Sequence, residues 1–197
     1  MYEFETERLR LRPPLRQDML AMCEYLQDVE IHRNTLLIPH PYHLEHAEAF
    51  LTMVYEEVAR GRDYYFALCS KSDQGFMGVI SLHLLPHHKA EVGYWLGKPH
   101  WGQGYMTEAL QRVIAFGFTE LGLQRIQATH FTHNMASGRV MQKANMTREG
   151  ILRHWFHKDG KPVDVCMYSI LRDEYLPPHN LTQKKPIAHS VNFPISP

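Results

Sequence analysis

A mixed α/β fold in one domain is what the sequence predicts, and three observations carry it. Glu91-Val92-Gly93-Tyr94-Trp95-Leu96 reads as a short apolar strand that runs through a glycine-bracketed loop, Trp101-Gly102-Gln103-Gly104, into a helical stripe. That is the first half of a βαβ unit. Before it, two aromatic and β-branched segments, Tyr64–Cys69 and Gly75–Leu84, flank the polar turn Ser70-Lys71-Ser72-Asp73-Gln74, a hairpin pattern. After it, Lys158-Asp159-Gly160-Lys161 joins two extended segments, and Asp-Gly is among the strongest hairpin signals.

The remaining elements follow in order. Thr6–Arg12 alternates Leu9 and Leu11 with Arg8, Arg10 and Arg12, as a half-buried strand does, and Pro13-Pro14 ends it. Asp18–Gln27 carries Met19, Met22, Cys23 and Leu26 at helical spacing. Arg33–Tyr42, with Pro39 and Pro41, reads as a loop. His43–Arg60 is a helix whose stripe is Ala47, Phe50, Leu51, Val54 and Val58, closed by Gly61. Ala90–Leu96 is the next strand, and the helix from Tyr105 to about Leu121 buries Met106, Ala109, Leu110, Val113, Ile114 and Gly117 before stopping at Gly122. Arg125–His130 is a strand, Asn134 caps a helix bearing Ser137, Val140, Met141 and Ala144, and Ile151–Phe156 with Val163–Leu171 forms the final hairpin. The resulting order is β-α-α-β-β-β-α-β-α-β-β over a single domain, 1–176. Residues 177–197, with Pro177, Pro178, Pro186, Pro194 and Pro197 and no periodicity, form a Pro-rich tail. Its composition is that of a disordered segment or of one that packs on its own domain or a neighbour.

Composition excludes several classes. Lys+Arg 21 balances Asp+Glu 21, so bulk charge calls for neither nucleic acid nor an anionic membrane. No apolar run approaches the roughly 20 residues of a membrane span. Met1-Tyr2-Glu3-Phe4-Glu5 lacks the basic patch and apolar core of a signal peptide, so a cytoplasmic location is expected. Cys23, Cys69 and Cys166 are odd in number and far apart, which fits reduced thiols. The 14 histidines form no HExxH or Cys/His cluster, and no metal site is expected.

The loop at 102–107 carries the chemistry. A strand that delivers glycines to a helix N-terminus builds an anion site, because first-turn N–H groups lack partners and the helix dipole favours negative charge. Gly102-Gln103-Gly104-Tyr105-Met106-Thr107 puts Thr at the third glycine of a dinucleotide fingerprint, and no acidic residue on a following strand is placed for a ribose. No G-x-x-x-x-G-K-[ST] is present. The anion is therefore the phosphate of another cofactor.

With these loop residues in this order, the chain resembles the GNAT superfamily of acyl-coenzyme A-dependent N-acetyltransferases, and within it the RimJ/RimL-like branch. Trp101-Gly102-Gln103-Gly104-Tyr105-Met106-Thr107-Glu108-Ala109 is similar to the branch's W-G-x-G-Y-A-T-E-A loop. Thr6–Arg12 resembles its opening strand and Glu91–Leu96 its fourth. Asn134-Met135-Ala136-Ser137 with Lys143 resembles its N-x-x-S…K helix, and Glu149–Arg153 with Asp164 and Tyr168–Leu171 its closing strands. The coverage is about Thr6 to Tyr175. Met106 departs from the usual small residue, and Met141 stands where many members carry a tyrosine general acid.

The resemblance implies a GNAT fold: a central, twisted, mostly antiparallel sheet with a splayed parallel pair at the cofactor site, flanked by about four helices. It implies acetyl-coenzyme A as cofactor, with its pyrophosphate on the amides of Gly102, Gln103, Gly104, Tyr105, Met106 and Thr107. Its pantetheine arm would lie on the backbone of Trp95 and Leu96, with Asn134 and Ser137 nearby. Ser137 is the expected proton donor to the leaving thiolate. Glu91 is the expected base, acting through water, with Asp164, His154 and His157 as rivals. His32, Arg33, Asn34, Tyr42 and His83 are expected to select the acceptor. An α-amine, at a reference pKa of about 7.7–8.0, needs less help from a base than lysine at about 10.4. The expected reaction is therefore acetylation of a protein N-terminus or a small amine. A non-catalytic acyl-coenzyme A-binding module, or an enzyme for aminoglycoside- or polyamine-like substrates, are the alternatives. The oligomeric state is open, a homodimer being one option.

Overall fold

The computed structural model describes residues 2–176; the tail expected over 177–197 lies outside the described residues. Thirteen regular elements follow the order β1 (Phe4–Glu5), β2 (Leu9–Arg12), α1 (Met19–Tyr25), α2 (Val29–Asn34), α3 (Leu44–Ala59), β3 (Asp63–Ser70), β4 (Phe76–Leu85), β5 (Lys89–Leu96), α4 (Tyr105–Thr119), β6 (Arg125–Phe131), α5 (Met135–Lys143), β7 (Thr147–Lys158) and β8 (Lys161–Leu171). Two were not expected. β1 is a two-residue addition paired through Phe4↔Leu11, and α2 starts inside the segment leading to the predicted loop. Asp28 caps α2 by accepting from the Glu30 amide, at 2.8 Å, which starts a helix that Pro39 and Pro41 lie too far along the chain to prevent.

The strands form one sheet in the order β1-β2-β3-β4-β5-β6-β8-β7. All neighbours are antiparallel except β5 and β6, which the α4 crossover makes parallel. Each face of the sheet buries its own core. On one, Ile80, Leu82, Val92, Ile126 and Ala128 meet Leu110, Val113 and Ile114 of α4 and Met141 of α5. On the other, Tyr65, Ala67, Val79 and Cys69 meet Met22 of α1, Ile31 of α2 and Ala47, Leu51 and Val54 of α3. Alternation along β4 and β5 therefore sorts residues between two compartments. Tyr94 packs with the α4–α5 core, whereas Trp95 packs with the α1–α3 core. A bidentate ion pair from Arg12 to Asp18, at 2.7 and 2.6 Å, is buried where β2 turns into α1.

Candidate active site

β5 and β6 pair only from Lys89↔Arg125 to Val92↔Ala128. β5 continues to Leu96 along β4, and β6 continues to Phe131 along β8. The two strand ends therefore diverge, and the backbone of β5 beyond Val92 faces an opening in the sheet rather than a strand. An extended ligand entering there meets peptide groups that have no β6 partner. A cavity of about 1070 Å³ occupies this opening. Its walls include Tyr94 and Ser137 from the α4–α5 side and His83, Glu91 and Tyr42 from the α1–α3 side, so it passes through the sheet.

On the α4–α5 side the loop and the start of α4 leave backbone amides without intrahelical partners. Gly102 and Gly104 have φ of 75° and 81°, a left-handed backbone that other L residues adopt only with strain. Gly104 is the N-cap of α4 and has no side-chain cap bond. The first intrahelical bond runs from the Glu108 amide to the Gly104 carbonyl, so the amides of Tyr105, Met106 and Thr107 have no carbonyl above them. Met106 is buried in the core while its amide stays at the helix end, which accommodates its departure from the family loop. Gln103 is the exception in the loop, since it does not line the cavity: its side chain is exposed and donates to the Pro99 carbonyl, at 3.0 Å. Trp101 Nε1 donates to the Leu96 carbonyl, at 2.7 Å, and ties the loop to the end of β5. Arg139 and Lys143, one turn apart on α5, line the same cavity and supply positive charge.

Sequence reasoning missed the residue that holds this loop from behind. Arg8 donates to Gln103 O at 2.9 Å, pairs with Glu108 at 2.7 Å, and stacks over Tyr105 at 4.5 Å. Its amide also donates to Glu108, at 2.8 Å. Arg8 was visible only as the polar half of an alternating strand.

Asn134 accepts from the Ser137 amide, at 3.2 Å, as the N-cap of α5. Ser137 Oγ lies 2.8 Å from the Tyr94 hydroxyl, the second residue that sequence reasoning missed. Burial pushes the Tyr94 phenol well above its ordinary range, against the effect of the Ser137 hydrogen bond, so it remains a proton donor at neutral pH. Met141 is buried in the core and offers no proton.

The α1–α3 side of the cavity carries polar groups of its own. Glu91 accepts from Gln127 Nε2 and Thr129 Oγ1, both at 3.3 Å, and faces the cavity. Tyr42 is buried and its phenol is pushed up to about 12 by that burial, while Asn34 reaches the wall from the end of α2. His32 and Arg33 are the exceptions among the expected selectivity residues, since neither lines the cavity. His32 is turned to the Ile38 carbonyl, at 2.7 Å, and to Asp159, at 3.4 Å, and Arg33 is exposed. The rival bases sit outside the cavity walls too. His154 and His157 are exposed on β7, and Asp164 accepts from the His154 amide, at 2.8 Å.

The described residues contain no helix long and apolar enough to cross a membrane and no cluster of three or more His, Cys, Asp or Glu that could hold a metal. Residues 8–147 match the family model of the acetyltransferase (GNAT) domain. The uncharacterised N-acetyltransferase p20 of Bacillus licheniformis is 31% identical over 86% of this chain and 96% of its own length. The crystal structure of a GNAT-family acetyltransferase from Bacillus anthracis superposes with a TM-score of 0.77, at 28% identity, over 87% of this chain and 99% of that one. The ribosomal protein uS5-alanine N-acetyltransferase of Escherichia coli is 26% identical over 66% of this chain and 69% of its length. The chain belongs to the GNAT family of acetyl-coenzyme A-dependent N-acetyltransferases.

Proposed function

We propose that the enzyme acetylates the α-amine of a protein N-terminus by direct attack within a ternary complex. The observation that carries this reading is a single cavity crossing the sheet at the β5/β6 opening, with a phosphate loop on one side and Glu91 on the other. Donor and acceptor thus meet from opposite faces, as direct transfer requires. Similarity to an enzyme named for an N-terminal alanine supports the acceptor class.

Acetyl-coenzyme A supplies an activated thioester, and the chain's residues supply the rest. The amides of 102–107, with Arg139 and Lys143, would hold its phosphates. Backbone N–H groups beyond Val92 on β5 stabilise the charge that develops on the thioester oxygen. Glu91, fixed by Gln127 and Thr129, meets the incoming ammonium and takes part in its deprotonation. Ser137 donates to the leaving sulfur, and Tyr94 fixes the direction of that hydroxyl. Asn134 caps α5 and lines the cavity in which the cofactor would lie. Asn34 and Tyr42 shape the acceptor end. A cytosolic location fits ribosomal proteins as acceptors.

The test is free-thiol release from acetyl-coenzyme A with a panel of N-terminal peptides, polyamines and aminoglycosides. Turnover on peptides with free α-amines supports the proposal, and turnover confined to polycationic small molecules contradicts it.

A further inference from the structure

Three strands bring together a chain of hydrogen bonds at the end of the cavity that His83 lines. Asp63 on β3 pairs in register with His83 on β4, and Asp63 Oδ2 lies 2.8 Å from His83 Nδ1. His83 Nε2 lies 2.8 Å from Ser81 Oγ, which in turn donates to the Gly93 carbonyl, at 3.2 Å. Tyr65 donates to the same Asp63 oxygen, at 3.1 Å, and its phenol is pushed upward by burial first and by Asp63 second, so it acts there as a donor only. Ser81 is buried, whereas 37% of the His83 side chain is exposed, and both line the cavity.

Counting hydrogens gives the chain a direction. An ionised Asp63 accepts only, so His83 Nδ1 carries a proton. If His83 is neutral, Nε2 is an acceptor, and the single Ser81 hydrogen cannot serve both Nε2 and the Gly93 carbonyl. If His83 is an imidazolium, every bond has its hydrogen: Nδ1–H to Asp63, Nε2–H to Ser81, and Ser81 O–H to Gly93. The arrangement is one proton short until His83 receives one.

Its position is also specific. Gly93 is the first β5 residue beyond the stretch paired with β6. A Cβ built there would lie 3.1 Å from Ser81 Oγ and 3.6 Å from His83 Nε2. Absence of a side chain thus leaves these two atoms facing the point where the sheet opens. His83 is also the register partner of Glu91, placing a carboxylate for an ammonium beside an imidazole for its proton.

We propose that Ser81 and His83, oriented by Asp63, form the relay that removes the proton from the acceptor ammonium. This rests on the acetyl-transfer reading above. The ammonium N–H passes its proton to Ser81 Oγ as the Ser81 hydrogen moves to His83 Nε2. The products are a neutral amine with its lone pair free and an imidazolium paired with Asp63. No electron changes hands, and the exposed imidazole edge returns the proton to water. The charged and titratable groups around His83 are Asp63 and Tyr65 from β3 and Glu91 from β5, with Glu57 of α3 acting on Tyr65.

The test follows thiol release from acetyl-coenzyme A with an N-terminal peptide between about pH 5.5 and 9.5, a range that spans imidazole and α-amine titration. H83Q is expected to lower kcat/KM about ten- to hundredfold at neutral pH and to converge on the unaltered enzyme at high pH, where the amine is already free. D63N is expected to do the same to a lesser degree, with acetyl-coenzyme A affinity by calorimetry unchanged in both. Parallel pH profiles would overturn the relay. A second arm needs no turnover: ring-nitrogen NMR of the unaltered full chain should show the neutral His83 ring protonated at Nδ1, and D63N should remove that preference. Protonation at Nε2 instead, or an Nδ1 preference unchanged in D63N, overturns the proposal. Absence of thiol release from every peptide would overturn the acetyl-transfer reading and leave the ring tautomer to decide on the hydrogen-bond chain.

Discussion

The Tyr94 hydroxyl lies 2.8 Å from Ser137 Oγ, joining the open end of β5 to the first turn of α5. When the Tyr94 hydroxyl donates to Ser137, as it does to the Ser137 carbonyl at 3.3 Å, the Ser137 hydrogen is left free for another acceptor. S137A is expected to lower kcat about ten- to hundredfold with little change in KM for acetyl-coenzyme A. Y94F keeps the ring and removes only the partner, so its loss is smaller. The double variant should lose no more than S137A alone, because the two groups act as a unit. Full additivity in steady-state thiol release would contradict the coupling.

The phosphate loop depends on the left-handed backbone at Gly104, with φ of 81°. A side chain there costs about 1–2 kcal/mol of strain. In G104V the free loop is expected to relax away from this backbone, and restoring it on binding should raise the acetyl-coenzyme A Kd by about tenfold, since 1.4 kcal/mol is one factor of ten. G150A, where an added Cβ meets nothing within 4 Å, is the control. Calorimetry that finds equal affinity for both variants would show that the loop amides do not hold the cofactor.

Gly138 makes room for a buried imidazole. A Cβ there would lie 2.7 Å from His130 Nε2, and the ring cannot swing away because Nδ1 is bonded to the Phe131 carbonyl, at 2.8 Å. Among the described residues Nε2 has no hydrogen-bond partner, and burial pushes this imidazole below its ordinary range. G138A is expected to cost about 1–3 kcal/mol in urea denaturation, the usual range for overpacking. A neutral result would mean that α5 shifts freely against β6.

These three sites differ in how far the sequence revealed them. The loop at 102–107 and the α4 stripe were legible because helix starts and apolar periodicity are local signals. Tyr94, Arg8 and the Asp63–His83–Ser81 chain were not, because each depends on which residues face one another across strands. Register places Asp63 beside His83 and His83 beside Glu91, and nothing in the spacing of positions 63, 83 and 91 encodes it. His32 and Arg33 failed for a related reason. Their segment was read as part of a loop open to the cavity, but the Asp28 cap winds it into α2 and points them elsewhere. The short β1 and α2 carry too few residues to show a period.

Glu149 gives the fold a defined acid sensitivity. Arg125 holds it with two 2.6 Å bonds and Ser169 adds one at 2.7 Å, which lowers its carboxyl to about 2. A depressed folded pKa stabilises above the unfolded value of 4.5, and that contribution fades as pH falls toward about 2. The side chain is 39% exposed, so solvent screening keeps the amount modest. E149Q should be less stable than the unaltered protein near neutrality, and the gap in urea midpoint should close on acidification. A gap independent of pH would remove the ion pair as its cause.

The acceptor itself is tested most directly by mass mapping of one peptide that carries both a free N-terminal amine and an internal lysine. After incubation with the enzyme and acetyl-coenzyme A, a single acetyl group on the α-nitrogen, with equimolar free thiol, is the expected result. Acetyl on the lysine ε-nitrogen, or thiol release with an unmodified peptide, would contradict transfer to an N-terminus through the β5/β6 opening.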